Sequence, residues 1–434
     1  MSEDVGVTAN GGVAHVRSAP EPDDVGTTSV RSRTPIVLRL RPKAGRRVLS
    51  GHPWVFSNEL AEVPKKDVMP AGSPIVLEDD RGRFVGRGYA NPATLIAARI
   101  LSRDRTEAID GDFFVRRLQA ALDRKAIACA GRSAFRWVHA AGDGLPGLIL
   151  DRYDGDGRVR VALQVNTAGM DELLPTLLPV LRDHFGVDAA IMRSTGRGRS
   201  LEGLPNDVRV AWGEPAPVGL RWTVDDDGAS VSFDPLGGQK TGLFLDMWLN
   251  RRRFAPYLGR GRVADLYSYV GQWGLAAAKA GADEVICVDR SGGALESVRA
   301  NFAANGLSGL ATVQGDVDRW LDGQEVRSLD AIVCDPPAFV QRRKDIGKGR
   351  RAYRKVFANS LALVRPGGFA VLGSCSYHLS EEHFADAIQD AARVARREVT
   401  VLMRGGQAPC HPVPVHVPES RYLKCWLVQV GGAL

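Results

Sequence analysis

The sequence predicts an α/β protein whose C-terminal half is an open, mostly parallel sheet with helices on both faces. Three observations predict it. From about residue 230 strand-like runs alternate with helical ones, the rhythm of βα units. Between residues 34 and 102 the apolar runs are short, alternating and bounded by turn signals, which reads as a small β-barrel. The length, 434 residues, allows two to four domains.

Taken in order, residues 1–33 are rich in Gly, Ser, Thr, Pro and Asp and are expected to form a disordered tail, since they bury too little to offset ordering. Residues 34–103 carry strand patterns near 36–40, 74–77 and 95–100, with turns at Gly51-His52-Pro53, Asp80-Arg81-Gly82 and Asn91-Pro92. A central α+β domain is expected over 104–228, with helices at 112–126 and 170–185 and strands at 148–150 and 159–163. From 229 to 434 strands are expected near 263–267, 284–288, 311–314, 330–334 and 369–372. Helices are expected at 275–280, 293–304 and 352–364, the last stopped by Pro366-Gly367-Gly368.

Composition narrows the function classes. Apolar residues make up 44% and charged residues 25%, an ordinary globular mix. No run approaches the roughly 18 apolar residues of a membrane span. The acidic start MSEDVGV lacks an apolar stretch, so a cytoplasmic protein is expected. Six scattered cysteines without a CxxC pair argue against a disulfide framework and a zinc site. The net charge is +7; the first 33 residues hold five acids and three Arg, leaving +9 on the remainder. That suits a polyanionic partner without requiring one.

In open α/β sheets ligands sit beyond the C-terminal ends of the strands. The first such end reads Asp265-Leu266-Tyr267-Ser268-Tyr269-Val270-Gly271; it is not GxGxxG and fits a pyrophosphate poorly. Asp289 follows the second strand, 18 positions beyond Gly271, where a carboxylate can accept from ribose hydroxyls. Asp316 follows the third and can accept from an exocyclic amine; each Asp can equally cap a helix. After the fourth strand Asp335-Pro336-Pro337-Ala338-Phe339 holds a stiff, exposed turn. After the fifth comes Ser374-Cys375-Ser376-Tyr377-His378, with Cys375 where a nucleophile is expected, although most unpaired cysteines are small core residues. His378 invites a Cys–His hydrolase reading, but no oxyanion hole or third group goes with it.

These landmarks resemble a family. Residues 229–434 are similar to the Rossmann-like class I S-adenosylmethionine-dependent methyltransferases. Gly237-Gly238-Gln239-Lys240-Thr241-Gly242-Leu243-Phe244-Leu245-Asp246, DLYSYVGQWG, VDRSGGAL, DPPAF and SCSYH together resemble the bacterial 23S rRNA cytosine-C5 methyltransferases. HPWVFSNEL (52–60), GDGLPGLILDRY (142–153) and HPVPVHVPESRYLK (411–424) extend the resemblance over residues 34–434. It implies a PUA-type RNA-binding barrel, a central α+β domain and a catalytic domain using S-adenosyl-L-methionine. It also implies that Asp265, Tyr267, Gly271, Asp289, Asp316 and Asp335 line the cofactor pocket and that Cys375, with Asp335, carries the chemistry. Related enzymes place a second cysteine after the proline of the fourth-strand motif; here Cys334 precedes Asp335 and reads as core.

The chemistry so implied is thiolate addition to cytosine C6, which activates C5, and the Cys375 pKa is expected to be lowered locally. The run 341–355 has eight basic residues and one acid. Arg342, Arg343, Lys344, Lys348, Arg350 and Arg351, with the aromatic Tyr353, are expected to meet RNA phosphates, against the plain reading of a solvated face. Trp54 and Phe56 read as core more readily than as stacking groups. The expected partner is large-subunit rRNA, naked RNA included, with a homodimer left open and neither metal nor membrane involved. The rivals are methylation of a base nitrogen, for which Asp-Pro-Pro-aromatic turns are used, and a non-catalytic ribosome assembly factor.

Overall fold

The computed structural model describes residues 34–214 and 219–434; the tail expected over 1–33 lies outside the described residues. The N-terminal strands form a five-stranded sheet in the order Ile36–Arg39, Ser73–Glu78, Phe84–Ala90, Ile96–Ser102, Trp54–Phe56. The first pair is parallel and the others antiparallel. An antiparallel bridge from Leu40 to Leu60 joins the two edges and closes off their unpaired backbone groups. Alternation turns Ile75 and Leu77 inward onto Leu38, Val55 and Ile100.

A second five-stranded sheet runs Asp207–Trp212, Ala189–Ser194, Arg158–Val165, Leu148–Gly155, Ala134–His139. The helix Gly111–Ala126, capped by the Asp110 side chain accepting from the Phe113 N–H at 3.0 Å, lays Phe113, Phe114 and Leu118 against Trp137, Leu150 and Val161. A hairpin, Trp222–Asp226 with Ala229–Phe233, leads out of this unit.

The C-terminal unit is a seven-stranded sheet. Its strands are β1 (Arg262–Leu266), β2 (Glu284–Asp289), β3 (Leu310–Gln314), β4 (Leu329–Cys334), β5 (Val364–Ser374), β6 (Arg397–Gly405) and β7 (Lys424–Ala433), in the spatial order β3-β2-β1-β4-β5-β7-β6. The first five are parallel, while β7 runs antiparallel to β5 and β6. Helices α1 (Trp248–Leu258), α2 (Gln272–Ala280) and α3 (Gly292–Ala304) cover one face; α4 (Val317–Asp322), α5 (Ile346–Leu363) and α6 (Glu381–Ala395) cover the other. Because both faces are covered, the interiors of the central strands are largely apolar, with Asp265 the charged exception in β1. Val263, Val285 and Val333 pack against Phe254 and Leu295, while Ala264, Ile286 and Ile332 pack against Phe357 and Phe384. Burial of each large side chain contributes about 1.5–3 kcal/mol.

The sequence reading missed β6, β7, α1, α4, α6, the central strands Ala134–His139, Ala189–Ser194 and Asp207–Trp212, and the 222–233 hairpin. It also started α5 too late. The basic run expected as a loop up to 351 is helical from Ile346, because Lys, Arg and Ala are good helix formers. Gly349 sits where a Cβ would collide with Val340 and the Phe339 carbonyl, so glycine there permits close approach of α5 to the turn after β4. Among the described residues no helix is long and apolar enough to cross a membrane.

Candidate active site

The C-terminal ends of β1, β2, β4 and β5 open into one cavity of about 640 Å³, to which the turn after β3 contributes Asp316. It gathers five of the residues singled out in the sequence: Tyr267, Asp289, Asp316, Asp335 and Cys375. Asp289 is held at both oxygens, accepting from the Tyr269 N–H at 2.9 Å and the Ser291 N–H at 2.8 Å. Of the two roles weighed for Asp316 the structure shows the cap: it accepts from the Arg319 N–H at the start of α4, pairs with Arg290, and faces the cavity.

Two residues expected on the cavity wall are not there. Asp265 is buried with its Oδ2 accepting from the Gly274 N–H at 2.9 Å, so it fastens the start of α2 instead. Gly271 begins α2 at φ +82°, and a Cβ there would press on Val298 of α3 at 3.1 Å. Both shape the turn that carries the cavity-lining residues Ser268 and Tyr269. Cys334 is fully buried, as its position inside β4 required.

The segment 239–246 was quoted in the sequence as a motif but given no role. It supplies Gln239, Lys240, Phe244 and Asp246 to the wall. Lys240, Tyr267 and Tyr269 hold positive φ angles of 48°, 59° and 50°, conformations costing on the order of 1 kcal/mol or more each. Three such residues around one cavity mark a place where position is favoured over relaxation. The central unit enforces it: Arg136 grips Asp151 through two hydrogen bonds of 2.7 and 2.8 Å. Asp151 accepts from the Thr241 hydroxyl, and the Tyr153 hydroxyl donates to the Thr241 carbonyl at 3.1 Å.

Lys240 is the cation shared by the acidic groups of the site. Burial pushes the Asp335 carboxyl up, and the nearby Asp246 charge adds to it; Lys240 and Arg251 oppose, and the balance lies at about 7. Burial also works against ionised Asp246, but Lys240, His411 and the Tyr422 hydrogen bond prevail and hold it at about 2. For Cys375 burial dominates over Lys240, with Asp335 and Asp246 adding to the rise, so the thiol is pushed up to about 11. The expected lowering of this pKa is therefore overturned in the free protein: burial of the thiol and two carboxylates outweigh one ammonium.

The loop carrying Cys375 is pinned by the residue that ends the HPVPVHVPESRYLK motif, to which the sequence reading gave no role. Lys424, at the start of β7, is buried and donates from Nζ to the carbonyls of Ser376, Leu379 and Tyr422 at 2.7, 2.7 and 2.8 Å. Burial lowers its pKa to about 8, with the Cys375 thiolate counteracting.

The basic run divides. Arg342 pairs with Asp345, Arg350 with Asp386 and Lys355 with Asp318. Arg343, Lys344, Lys348 and Arg351 are exposed without an ionic partner among the described residues. Tyr353 is fully buried, its hydroxyl bonded to those of Ser374 and Ser376; it is core and meets no phosphate. Trp54 and Phe56 are half-buried.

Residues 176–406 match the family model described as S-adenosylmethionine-dependent methyltransferase, and residues 38–103 match a PUA-like domain. Ribosomal RNA large subunit methyltransferase I of Photobacterium profundum is 33% identical over 394 residues, covering 89% of this chain and 97% of that protein. The protein of the same name from Shewanella denitrificans is 34% identical over 401 residues, covering 91% and 99%. In fold, the chain resembles a SAM-dependent methyltransferase of Streptococcus mutans with a TM-score of 0.75 at 20% identity, over 91% of this chain and 100% of that one. A methyltransferase solved with SAH gives a TM-score of 0.75 at 19% identity, with the same coverage. The chain thus belongs to the S-adenosylmethionine-dependent methyltransferases and, among them, to the family of these large subunit methyltransferase I relatives. Its cofactor is S-adenosylmethionine.

The cavity fits that cofactor. The Ser268 hydroxyl and the Trp273 indole N–H are buried on its wall with no partner among the described residues, which costs free energy unless a ligand answers them. Asp289 would take the ribose hydroxyls, Tyr267 and Val317 would flank the base, and Asp335 with Asp246 would face the cationic sulfur.

Proposed function

We propose that this protein methylates C5 of a cytosine in large-subunit rRNA, with Cys375 as the nucleophile. The observation that carries the reading is the placement of Cys375 on the cofactor cavity beside Lys240, Asp335 and Asp246. It is also the least buried of the six cysteines.

Cytosine C5 is a weak nucleophile, so the base needs covalent activation. As the base docks, the Cys375 thiol loses its proton to solvent and its sulfur adds to C6 as the thiolate, with Lys240 as counter-cation, and electron density moves to C5. Bound S-adenosylmethionine supplies the electrophilic methyl that C5 takes. Asp335, with its carboxyl near 7, is matched to accept the C5 proton at neutral pH; the electrons of that C–H bond then re-form the ring double bond as the thiolate leaves C6. A base in folded RNA must first be unstacked, which costs a few kcal/mol. The PUA-like barrel and the unpaired cations in and just before α5 would hold the flanking strand.

RNA containing 5-fluorocytosine tests this. Fluorine at C5 blocks the proton loss, so the wild type should form a denaturation-resistant adduct with the RNA and Cys375→Ala should form none. Mapping 5-methylcytosine in rRNA from cells with and without the protein gives the position. Full activity in Cys375→Ala would sink the carbon mechanism and transfer the reading to a base nitrogen presented to the Asp335-Pro336-Pro337 turn.

A further inference from the structure

Two residues beyond Cys375, Tyr377 is 44% exposed, an uncommon position for a large ring in a rigid loop. It is not a loose side chain. Lys424 ties the carbonyls on both sides of it, at Ser376 and Leu379, and its ring meets His378 edge-on at 4.7 Å. A fixed aromatic face open to solvent beside a base-binding cavity is a platform for stacking.

The same rim meets the barrel. Glu419 bonds Arg47, and its other oxygen lies 3.3 Å from His52 Nε2. Gly51 packs so that a Cβ would touch the His416 ring at 3.4 Å. Lys424, which holds the loop bearing Tyr377, also donates to the Tyr422 carbonyl, three residues beyond Glu419. The barrel stretch 39–47, RLRPKAGRR, contains no acid. Its Arg41, Lys43 and Arg46 are exposed and without an ionic partner among the described residues.

We infer that this seam between barrel and catalytic unit binds the single-stranded RNA flanking the target base, with Tyr377 stacking on a neighbouring nucleobase and Arg41, Lys43 and Arg46 meeting phosphates. The inference rests on the RNA substrate proposed above and narrows the barrel's part in holding it to this seam and to Tyr377. Charge decides the class of partner: exposed cations on the barrel, in the stretch that reaches the seam at Arg47, together with an exposed ring on the catalytic unit match a polyanion bearing planar bases.

The test uses the full chain and an in vitro transcript of large-subunit rRNA. Tyr377→Ala should weaken RNA binding at least about fivefold, within the range of one base stack, and Tyr377→Trp should restore it. Replacing Arg41, Lys43 and Arg46 by Ala should flatten the slope of log affinity against log salt by about 2, at roughly 0.7 for each single-strand phosphate no longer neutralised. Calorimetric affinity for S-adenosylmethionine should not change in either variant, which separates RNA binding from misfolding. Wild-type RNA affinity and salt slope in both variants would overturn the seam while leaving the proposed function standing. Failure of the wild type itself to bind or methylate the transcript would overturn both.

Discussion

The Tyr422 hydroxyl donates to Oδ2 of Asp246 across 2.6 Å, which fixes a carboxylate on the wall that also carries Cys375. The pairing connects the segment leading into β7 with the strained stretch around Lys240, so the charge felt by the thiol is set by residues far from it in sequence.

Asp246→Asn keeps an acceptor for Tyr422 and removes the negative charge. The Cys375 pKa should then fall from about 11, by on the order of one pH unit, or about 1.4 kcal/mol. Lys240→Met should move it the other way. The pH profile of iodoacetamide labelling reads this selectively, since the other five cysteines are buried. Identical profiles in all three proteins would remove both residues from the thiol's environment.

Asp289→Ala should weaken S-adenosylmethionine binding by roughly 1.5–3 kcal/mol, the range for hydrogen bonds to a charged group. Calorimetry on the variant checks it. Unchanged affinity would place the ribose elsewhere on the wall.

Asp265 gives a stability prediction with a definite sign. Burial raises its carboxyl from 3.8 to about 7, so between those values the folded state holds a proton that the unfolded state has released. Stability is therefore lost as pH rises through this window. Asp265→Asn should remove that slope, which is about 1.4 kcal/mol for every pH unit inside the window, and be the more stable protein above pH 7. Urea midpoints at pH 5 and pH 8 measure it; an equal difference between the proteins at both pH values would refute the assignment.

Arg343, Lys344, Lys348 and Arg351 replaced together by Ala should flatten the salt slope of RNA binding by roughly 0.7 for each phosphate they had neutralised. Arg342→Ala and Arg350→Ala should do less, because each already has a carboxylate partner. Filter binding at several salt concentrations distinguishes this surface from a merely solvated one.

Much of this was legible beforehand where chemistry and local pattern coincide. Asp289, Asp335 and Cys375 are legible because each follows an apolar run that reads as a buried strand, and Asp316 because it follows the half-buried edge strand β3 in the same βα rhythm. Asp265 was misplaced for the same reason: the pattern locates a strand end, but not which of its last residues turns away from the cavity. Lys240 and Lys424 were illegible in role. Their importance comes from what they meet, carboxylates and carbonyls brought together only by the sheet order β4-β5-β7. Gly349 shows the limit of local rules: it lies in the basic run read as preceding the helix, and it serves as a contact point inside α5.

The Arg136–Asp151–Thr241 connection has a consequence for modularity. The strained stretch bearing Lys240 is shaped by the central sheet, so residues 229–434 are not a portable cassette. Fused to a foreign RNA-binding module, they would bring the sheet and most of the cavity wall without the brace that keeps Lys240 near the thiol. A productive transplant has to begin upstream of Ala134–His139, making the middle of the chain part of the catalyst rather than a spacer.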